Sequence, residues 1–267
     1  MTCMPPHLLD DTETAPFGAK EARAVVGAVT GSSGAPRKVP GRSSDSPSSE
    51  ATAEMPSNVL ILGAGGQIAR HVIAGLGRDE RIRQTLFLRN THKLNGSVPG
   101  NARVTQGDVL DETMLAAVMM GQDIVYANLT GDDLDVQAQA VIDAMQAMGV
   151  KRLVFVLSLG IYDELPGRFQ QWNQAMIGEY LKPFRRAADA IEASGLDYTI
   201  VRPAWLTDED GVDYEITAKG ETFKGTEVSR KSVANLIADI ILTPSLHVGG
   251  SLGIDKPGTD GDKPAFY

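Results

Sequence analysis

The chain has 267 residues, 42% of them hydrophobic and 22% charged, with a net charge of −9 and a pI near 5.0. That length fits one large domain or two small ones, and the composition is that of a globular protein with a core. It excludes a membrane span, which needs roughly 18 consecutive apolar residues, and a general nucleic-acid binder, which needs a basic footprint. The single cysteine, Cys3, excludes an internal disulfide and a multi-cysteine metal site. His7, His71, His92 and His247 are too scattered for metal-ligand spacing, so no metal centre is expected.

Residues 1–56 read differently from the rest. From Gly31 to Ser57 there are eight Ser, four Pro and three Gly in 27 positions, with almost no large apolar side chain. Such a segment buries too little apolar surface to offset its ordering entropy. Two expectations stand for 1–56: a disordered extension, or a non-native one with Met55 as the working start. Asp10, Asp11 and Glu13 precede the short apolar patch Ala22–Val29, a poor match to a secretory leader, so a cytoplasmic location is expected.

From Ser57 onward strand-like and helix-like segments alternate. Val59–Leu62 is a short continuous apolar run, as in a strand buried on both faces. Ile68, Val72, Ile73 and Leu76 follow at helical spacing. Further strands are expected at Thr85–Leu88, Ala102–Thr105, Asp123–Ala127, Leu153–Leu157 and Tyr198–Val201. Between them lie helices marked by Met114, Leu115, Val118 and Met119, and by Leu134, Ala138, Val141, Ile142, Met145 and Met148, the latter stopped at Gly149. A last helix carries Val233, Leu236, Ile237, Ile240 and Ile241 behind a Ser229 cap. The pattern predicts an α/β fold: one Rossmann-like, doubly wound parallel sheet over 57–267, with a small C-terminal portion on the substrate side.

The first strand–helix junction is Gly63-Ala64-Gly65-Gly66-Gln67-Ile68-Ala69. It is not G-x-G-x-x-G but G-x-x-G-x-x-A, with Gly63, Gly66 and Ala69 as the small positions. Glycines here let a backbone approach a pyrophosphate, and the helix start offers free N–H groups. Gly63, Gly65, Gly66, Gln67 and Ile68 are therefore candidate nucleotide contacts. The second strand ends in Leu88-Arg89-Asn90 followed by Lys93, with no acid to accept ribose hydroxyls as in an NAD site. Arg89, Asn90 and Lys93 suit the 2′-phosphate of NADP(H) instead. Asp108 and Val109 follow the third strand, where Asp108 either meets adenine or starts a helix. Asn128 and Leu129 follow the fourth strand, where the chain passes close to ribose and nicotinamide. Pro203-Ala204-Trp205 follows the sixth and is expected to line the nicotinamide or substrate pocket.

The chain from about Asn58 resembles the atypical short-chain dehydrogenase/reductase superfamily, in the NAD(P)H-binding group that includes NmrA-like and biliverdin/flavin-reductase-like proteins. The residues carrying the resemblance are Gly63–Ala69, Arg89, Gly107-Asp108, Leu157–Tyr162 and Ser194–Pro203. It implies a serine at the end of the fifth strand, matched by Ser158, and a tyrosine followed four residues later by lysine. The tyrosine moves a proton while hydride moves at the nicotinamide, and the lysine lowers its pKa. Tyr180 lies 22 residues beyond Ser158, but Phe184 fills the lysine slot. Lys182 is about 200° round the helix from Tyr180, and Pro183 is expected to break the helix there. Tyr162, four residues after Ser158, is the other candidate, either a proton donor or a loop residue packed over the cofactor.

Phe169, Trp172, Met176 and Ile177 read as an apolar lid or interface, which leaves a homodimer open, and Asp208-Glu209-Asp210 as a solvated acidic loop. The residues point to an NADPH-dependent reductase of a small-molecule electrophile such as a quinone or flavin. The alternative is a non-catalytic NADP(H)-binding redox sensor of the NmrA-like type, favoured by the missing lysine. A nucleotide-sugar epimerase is disfavoured by the short stretch after Pro203.

Overall fold

The computed structural model describes residues 57–267. The expectations for 1–56 lie outside the described residues. An eight-stranded sheet is ordered β3-β2-β1-β4-β5-β6-β10-β8. Its strands are β1 (Ser57–Leu62), β2 (Ile82–Leu88), β3 (Ala102–Gln106), β4 (Ile124–Ala127), β5 (Arg152–Val156), β6 (Asp197–Pro203), β8 (Glu215–Ala218) and β10 (Gly250–Asp255). β7 (Trp205–Thr207) and β9 (Glu227–Ser229) form a separate parallel pair. All neighbours in the large sheet are parallel except β10 with β8. The expected parallel sheet is thus a mixed one, mostly parallel, and it is two strands wider than the six the sequence suggested.

Five helices cover it: α1 (Gln67–Leu76), α2 (Glu112–Met119), α3 (Leu134–Met148), α4 (Gly167–Ala193) and α5 (Arg230–Leu242). α1 packs on α5, while α3 packs on both α2 and α4, so the sheet carries two helical layers. Val59–Leu62 and Leu153–Phe155 are inaccessible to solvent, as the uninterrupted apolar runs require of strands covered on both faces. No helix among the described residues is long and apolar enough to cross a membrane.

Two helix ends match their sequence signals. Gly149 closes α3 in the left-handed region, and Ser229 caps α5 by accepting from the Ser232 N–H at 3.0 Å. The break expected at Pro183 does not occur. α4 runs unbroken through it for 27 residues, with Leu181, Pro183, Phe184, Ala187, Ala188 and Ile191 all buried. A mid-helix proline forfeits one hydrogen bond and crowds a carbonyl, but burial of this apolar face outweighs that cost.

Strand order reverses at β1, which has β2 on one side and β4 on the other. In open sheets of this kind ligands bind beyond the carboxyl ends of the strands at that reversal.

Candidate active site

A cavity of about 490 Å³ lies beyond those carboxyl ends, within the size range of small-ligand pockets. Every candidate cofactor contact lines it: Gly63, Gly65, Gly66, Gln67 and Ile68 after β1, Arg89, Asn90 and Lys93 after β2, Asp108 and Val109 after β3, Asn128 and Leu129 after β4, and Pro203 at the end of β6. Segments up to 140 residues apart therefore meet because parallel strands all present the same end.

The glycine loop is held tightly against the end of β4. Gly63 has φ of +71°, and a Cβ there would lie 2.2 Å from the Asn128 carbonyl oxygen. A Cβ on Gly66 would lie 2.0 Å from Asn128 Nδ2. A side chain is thus excluded at Gly63 on both steric and conformational grounds, and at Gly66 it would collide with the Asn128 side chain. The N-terminus of α1 has no side-chain cap and no acid in its first turn. Its N–H groups and positive dipole end face a cradle fitted to a phosphate-bearing ligand.

The floor of the cavity beyond β2 and β3 is built by short-range bonds. Asn90 Oδ1 accepts from the His92 N–H at 3.0 Å and caps the 3₁₀ turn Thr91–Leu94. That turn lays the stem of Lys93 against Gly65. Asp108 accepts from the Leu110 N–H at 3.1 Å and lies 4.0 Å from Arg89, whose side chain is 77% exposed. The helix-start role considered for Asp108 falls to Asp111, which accepts from the Met114 N–H at 3.0 Å.

The other end holds Ser158, Tyr180, Thr130, Ile177, Phe184, Ala204, Trp205 and Leu206. Ser158 lies two residues beyond the end of β5 and is buried at 7% exposure. Tyr180 Oη makes a very short hydrogen bond with Thr130 Oγ1. Burial chiefly raises the Tyr180 pKa, with a smaller contribution from Asp132, against the lowering effect of the Thr130 bond. The ring of Phe184 packs against that of Tyr180 in a tilted contact, with centroids 4.6 Å apart. Lys182 turns away and pairs with Glu179 at 2.6 Å. Trp205 donates from Nε1 to Asn173 Oδ1 at 2.9 Å. Its ring packs 4.9 Å from Trp172 and 5.2 Å from Tyr267. Phe169, Trp172 and Ile177 are therefore used within the chain, with Ile177 as cavity wall, while Met176 remains exposed.

Tyr162 does not join this group. It lines a separate depression with Arg185 and Lys219. Its hydroxyl donates to Glu192 at 2.7 Å and lies 3.3 Å from Ser251 Oγ. Arg202 and Lys219 stand over its ring at 5.1 and 4.4 Å. Tyr162, expected as a proton donor or as cover for the cofactor, lies outside the cavity as a packing residue, because the loop after Ser158 turns away from it. Glu164 makes that turn: it accepts from the Gly160 and Tyr162 N–H groups at 3.0 and 2.9 Å and forms a buried ion pair with Arg202.

Sequence reasoning missed Arg230, the first residue of α5, which also lines the cavity. Its guanidinium bonds Asp208 at 2.8 Å. Glu209 and Asp210 lie near Lys256 and Lys231 at 2.6 and 3.9 Å, and all three acids are largely exposed, so the loop is a solvated one with surface ion pairs. Nothing local marks Arg230, whose place at the cavity depends on α5 packing along α1.

A family model described as NAD(P)H-binding matches residues 63–244, from the glycine loop to the end of α5. The chain belongs to that NAD(P)H-binding family. A Rossmann-fold NAD(P)-binding family protein from Shigella flexneri is 61% identical, with a TM-score of 0.69, covering 79% of this chain and 99% of that one. A short-chain dehydrogenase/reductase from Veillonella parvula, solved in complex with NADP, is 26% identical with a TM-score of 0.71, covering 79% and 100%. The uncharacterized sugar epimerase YhfK of Bacillus subtilis is 29% identical over 193 residues, 67% of this chain and 85% of that protein. The NAD(P)H-binding family assignment agrees with the resemblance to atypical short-chain dehydrogenases/reductases, and the chain has the general character of an NAD(P)H-binding oxidoreductase.

Proposed function

We propose that the protein is an NADPH-dependent reductase of a small, apolar or aromatic electrophile, a quinone or flavin being the model acceptor. The observation that carries this reading is the pairing of Ser158 and Tyr180 on the wall of the cavity that also contains the glycine loop. In it, α1 and Gly63–Ile68 hold the cofactor phosphates, and Arg89 with Lys93 holds the 2′-phosphate. The absence of an acid after β2 supports NADP over NAD, as does the relative solved with NADP.

When bound, the reduced nicotinamide supplies hydride to the acceptor. Ser158 positions the acceptor oxygen by donating a hydrogen bond. The Tyr180 hydroxyl gives its proton to that oxygen and is reprotonated through Thr130 and solvent. Burial raises the Tyr180 pKa, so the hydroxyl keeps its proton at neutral pH and is available as a donor, although as a weaker acid than a tyrosine beside a lysine. Phe184 takes the place from which a lysine would lower this pKa. Ile177, Phe184, Trp205 and Leu206 keep water from the acceptor end, and positioning supplies most of the rate enhancement.

The test is to mix the protein with NADPH and a panel of quinones, flavins and aldehydes and follow nicotinamide absorbance. Oxidation with quinones or flavins is expected, while none with any acceptor defeats the reading. Phe184 favours a second reading, an NADP(H) sensor. A sensor requires NADPH and NADP⁺ to differ in their effect on partner binding.

A further inference from the structure

A tyrosine that gives its proton to an acceptor is left as a phenolate, and a donor aimed at that oxygen eases the step. A lysine ammonium would serve, but Lys182 pairs with Glu179 and the Phe184 ring lies against Tyr180. The group that reaches the Tyr180 oxygen is the Thr130 hydroxyl, three residues beyond the end of β4. Both side chains line the cavity. Either hydroxyl can be the donor in this bond. A phenol has a single hydrogen, so when Tyr180 points its own at the acceptor, Thr130 has to be the donor. Burial raises the Tyr180 pKa, the Thr130 bond lowers it, and Asp132 raises it further. Of these, the Thr130 bond is the one that favours the phenolate.

The segment bearing Thr130 is fixed from α3. Gln137, buried at 7% exposure, donates from Nε2 to the Thr130 carbonyl at 3.1 Å and to Asp133 Oδ1 at 2.7 Å. Between them Gly131 has φ of +135°, and a Cβ there would come 2.7 Å from Asp133 Oδ1 and 3.3 Å from Gln137 Nε2. The turn is therefore closed onto Gln137. α3 packs on α4, which bears Tyr180. Two packed helices thus present the two hydroxyls to each other, and a donor placed in advance needs no reorganisation when charge develops.

We infer that Thr130, held by Gln137, is a positioning residue that takes the part of the missing lysine. It donates to the Tyr180 oxygen while the Tyr180 proton passes to the acceptor. This rests on the reductase reading and says how the proton step proceeds without an ammonium. The Tyr180 O–H bond breaks as an O–H bond forms on the acceptor oxygen. The phenolate then takes the Thr130 proton, and Thr130, which is exposed, is reprotonated by a buffer acid. A neutral donor stabilises a phenolate less than an ammonium does, so turnover is slow.

Steady-state turnover of full-length variants with NADPH and a quinone tests this, with NADPH affinity measured by calorimetry. Thr130→Val keeps the shape and removes the hydroxyl, and should lower kcat about 10-fold, the size of one lost hydrogen bond. NADPH affinity and the acceptor KM should stay within about twofold, since the bond matters in the transition state. Thr130→Ser, which restores a hydroxyl, should recover most of the loss. In a Tyr180→Phe background, Thr130→Val should change kcat by less than about twofold, because the donor then has no phenolate to serve. A threonine that only supports the fold would cost the same in both backgrounds. Thr130→Ala repeats the comparison if the valine variant does not fold. Unchanged kcat in Thr130→Val, or an equal loss with and without the Tyr180 hydroxyl, overturns the inference. A wild type that oxidises no NADPH defeats the reductase reading, and this inference with it.

Discussion

At the residue scale the cavity divides labour between its two ends. If Arg89 holds the 2′-phosphate, Arg89→Ala should weaken NADPH by about 1.5–3 kcal/mol and leave NADH almost unchanged. Equal losses for both cofactors remove Arg89 from that role. At the other end, Tyr180→Phe should lower kcat about 10–100-fold with little change in NADPH affinity, because its proton matters in the transition state. Tyr162→Phe should leave kcat within about twofold, since that hydroxyl is engaged by Glu192 and Ser251 outside the cavity. The reverse ranking of the two tyrosines would show that the acceptor sits elsewhere. With the Tyr180 pKa raised, turnover should stay level through the neutral range and fall only in strong alkali.

A second residue carries a pH signature for the fold. Asp255 on β10 is fully buried, accepts from the Gly225 N–H at 2.8 Å, and leaves Oδ1 without a partner among the described residues. Burial is the main cause that raises its pKa to about 6, helped by Glu215 and Asp260 and opposed by the Gly225 bond and Lys224. The folded state then holds this proton more tightly than the unfolded chain. Its stabilising contribution is full below the ordinary aspartate range and is lost as pH rises through about 6. Asp255→Asn should therefore raise stability at about pH 8 by roughly 1–3 kcal/mol and change little near pH 4. Thermal melts across that range check it, and equal effects at both ends refute it.

At the element scale the Arg202–Glu164 pair is the feature that positions the loop after Ser158. Arg202 on β6 is wholly buried, and Glu164 ties the loop after Ser158 by two backbone bonds. Glu164→Ala leaves the guanidinium uncompensated and should cost about 3–5 kcal/mol of stability. Denaturant unfolding checks it, and a loss under about 1 kcal/mol, the size of a surface pair, would mean that the loop is held by other contacts. The Val201-Arg202-Pro203 stretch thus acts by shaping the loop that bears Ser158, and not by touching ligand through its arginine.

Element by element, legibility followed the strength of the local signal. The five central strands β2, β1, β4, β5 and β6 were readable because their apolar runs have few alternatives to a doubly covered strand, whereas β3, at the sheet edge and partly exposed, has no such run. β10 was not readable, because Gly250 and Gly253 interrupt it. Gly253 is required there, since a Cβ would come 2.5 Å from the Phe223 ring. α4 was misread at Pro183 because local propensity is silent about the buried face that carries the helix through.

At the scale of the whole molecule, the site was readable wherever a strand end announced it. All the residues after β1 to β4 line one cavity because the topology brings those ends together. Tyr162 was misplaced and Arg230 missed because their positions depend on a loop turned by Glu164 and on a helix packed against α1, which no local pattern encodes. The chain after Pro203 goes mostly into completing the sheet with β10 and β8 and covering it with α5.

Both tryptophans, Trp172 and Trp205, belong to one aromatic cluster, and Trp205 lines the cavity. Their fluorescence therefore reports occupancy independently of turnover. The most direct measurement is a single mixing experiment that follows tryptophan quenching and nicotinamide absorbance together, with NADPH and a quinone or flavin acceptor. Quenching by NADPH, followed by oxidation that requires Tyr180, is the predicted result. Quenching with no oxidation across the acceptor panel would contradict the reductase and leave a protein that only binds its dinucleotide.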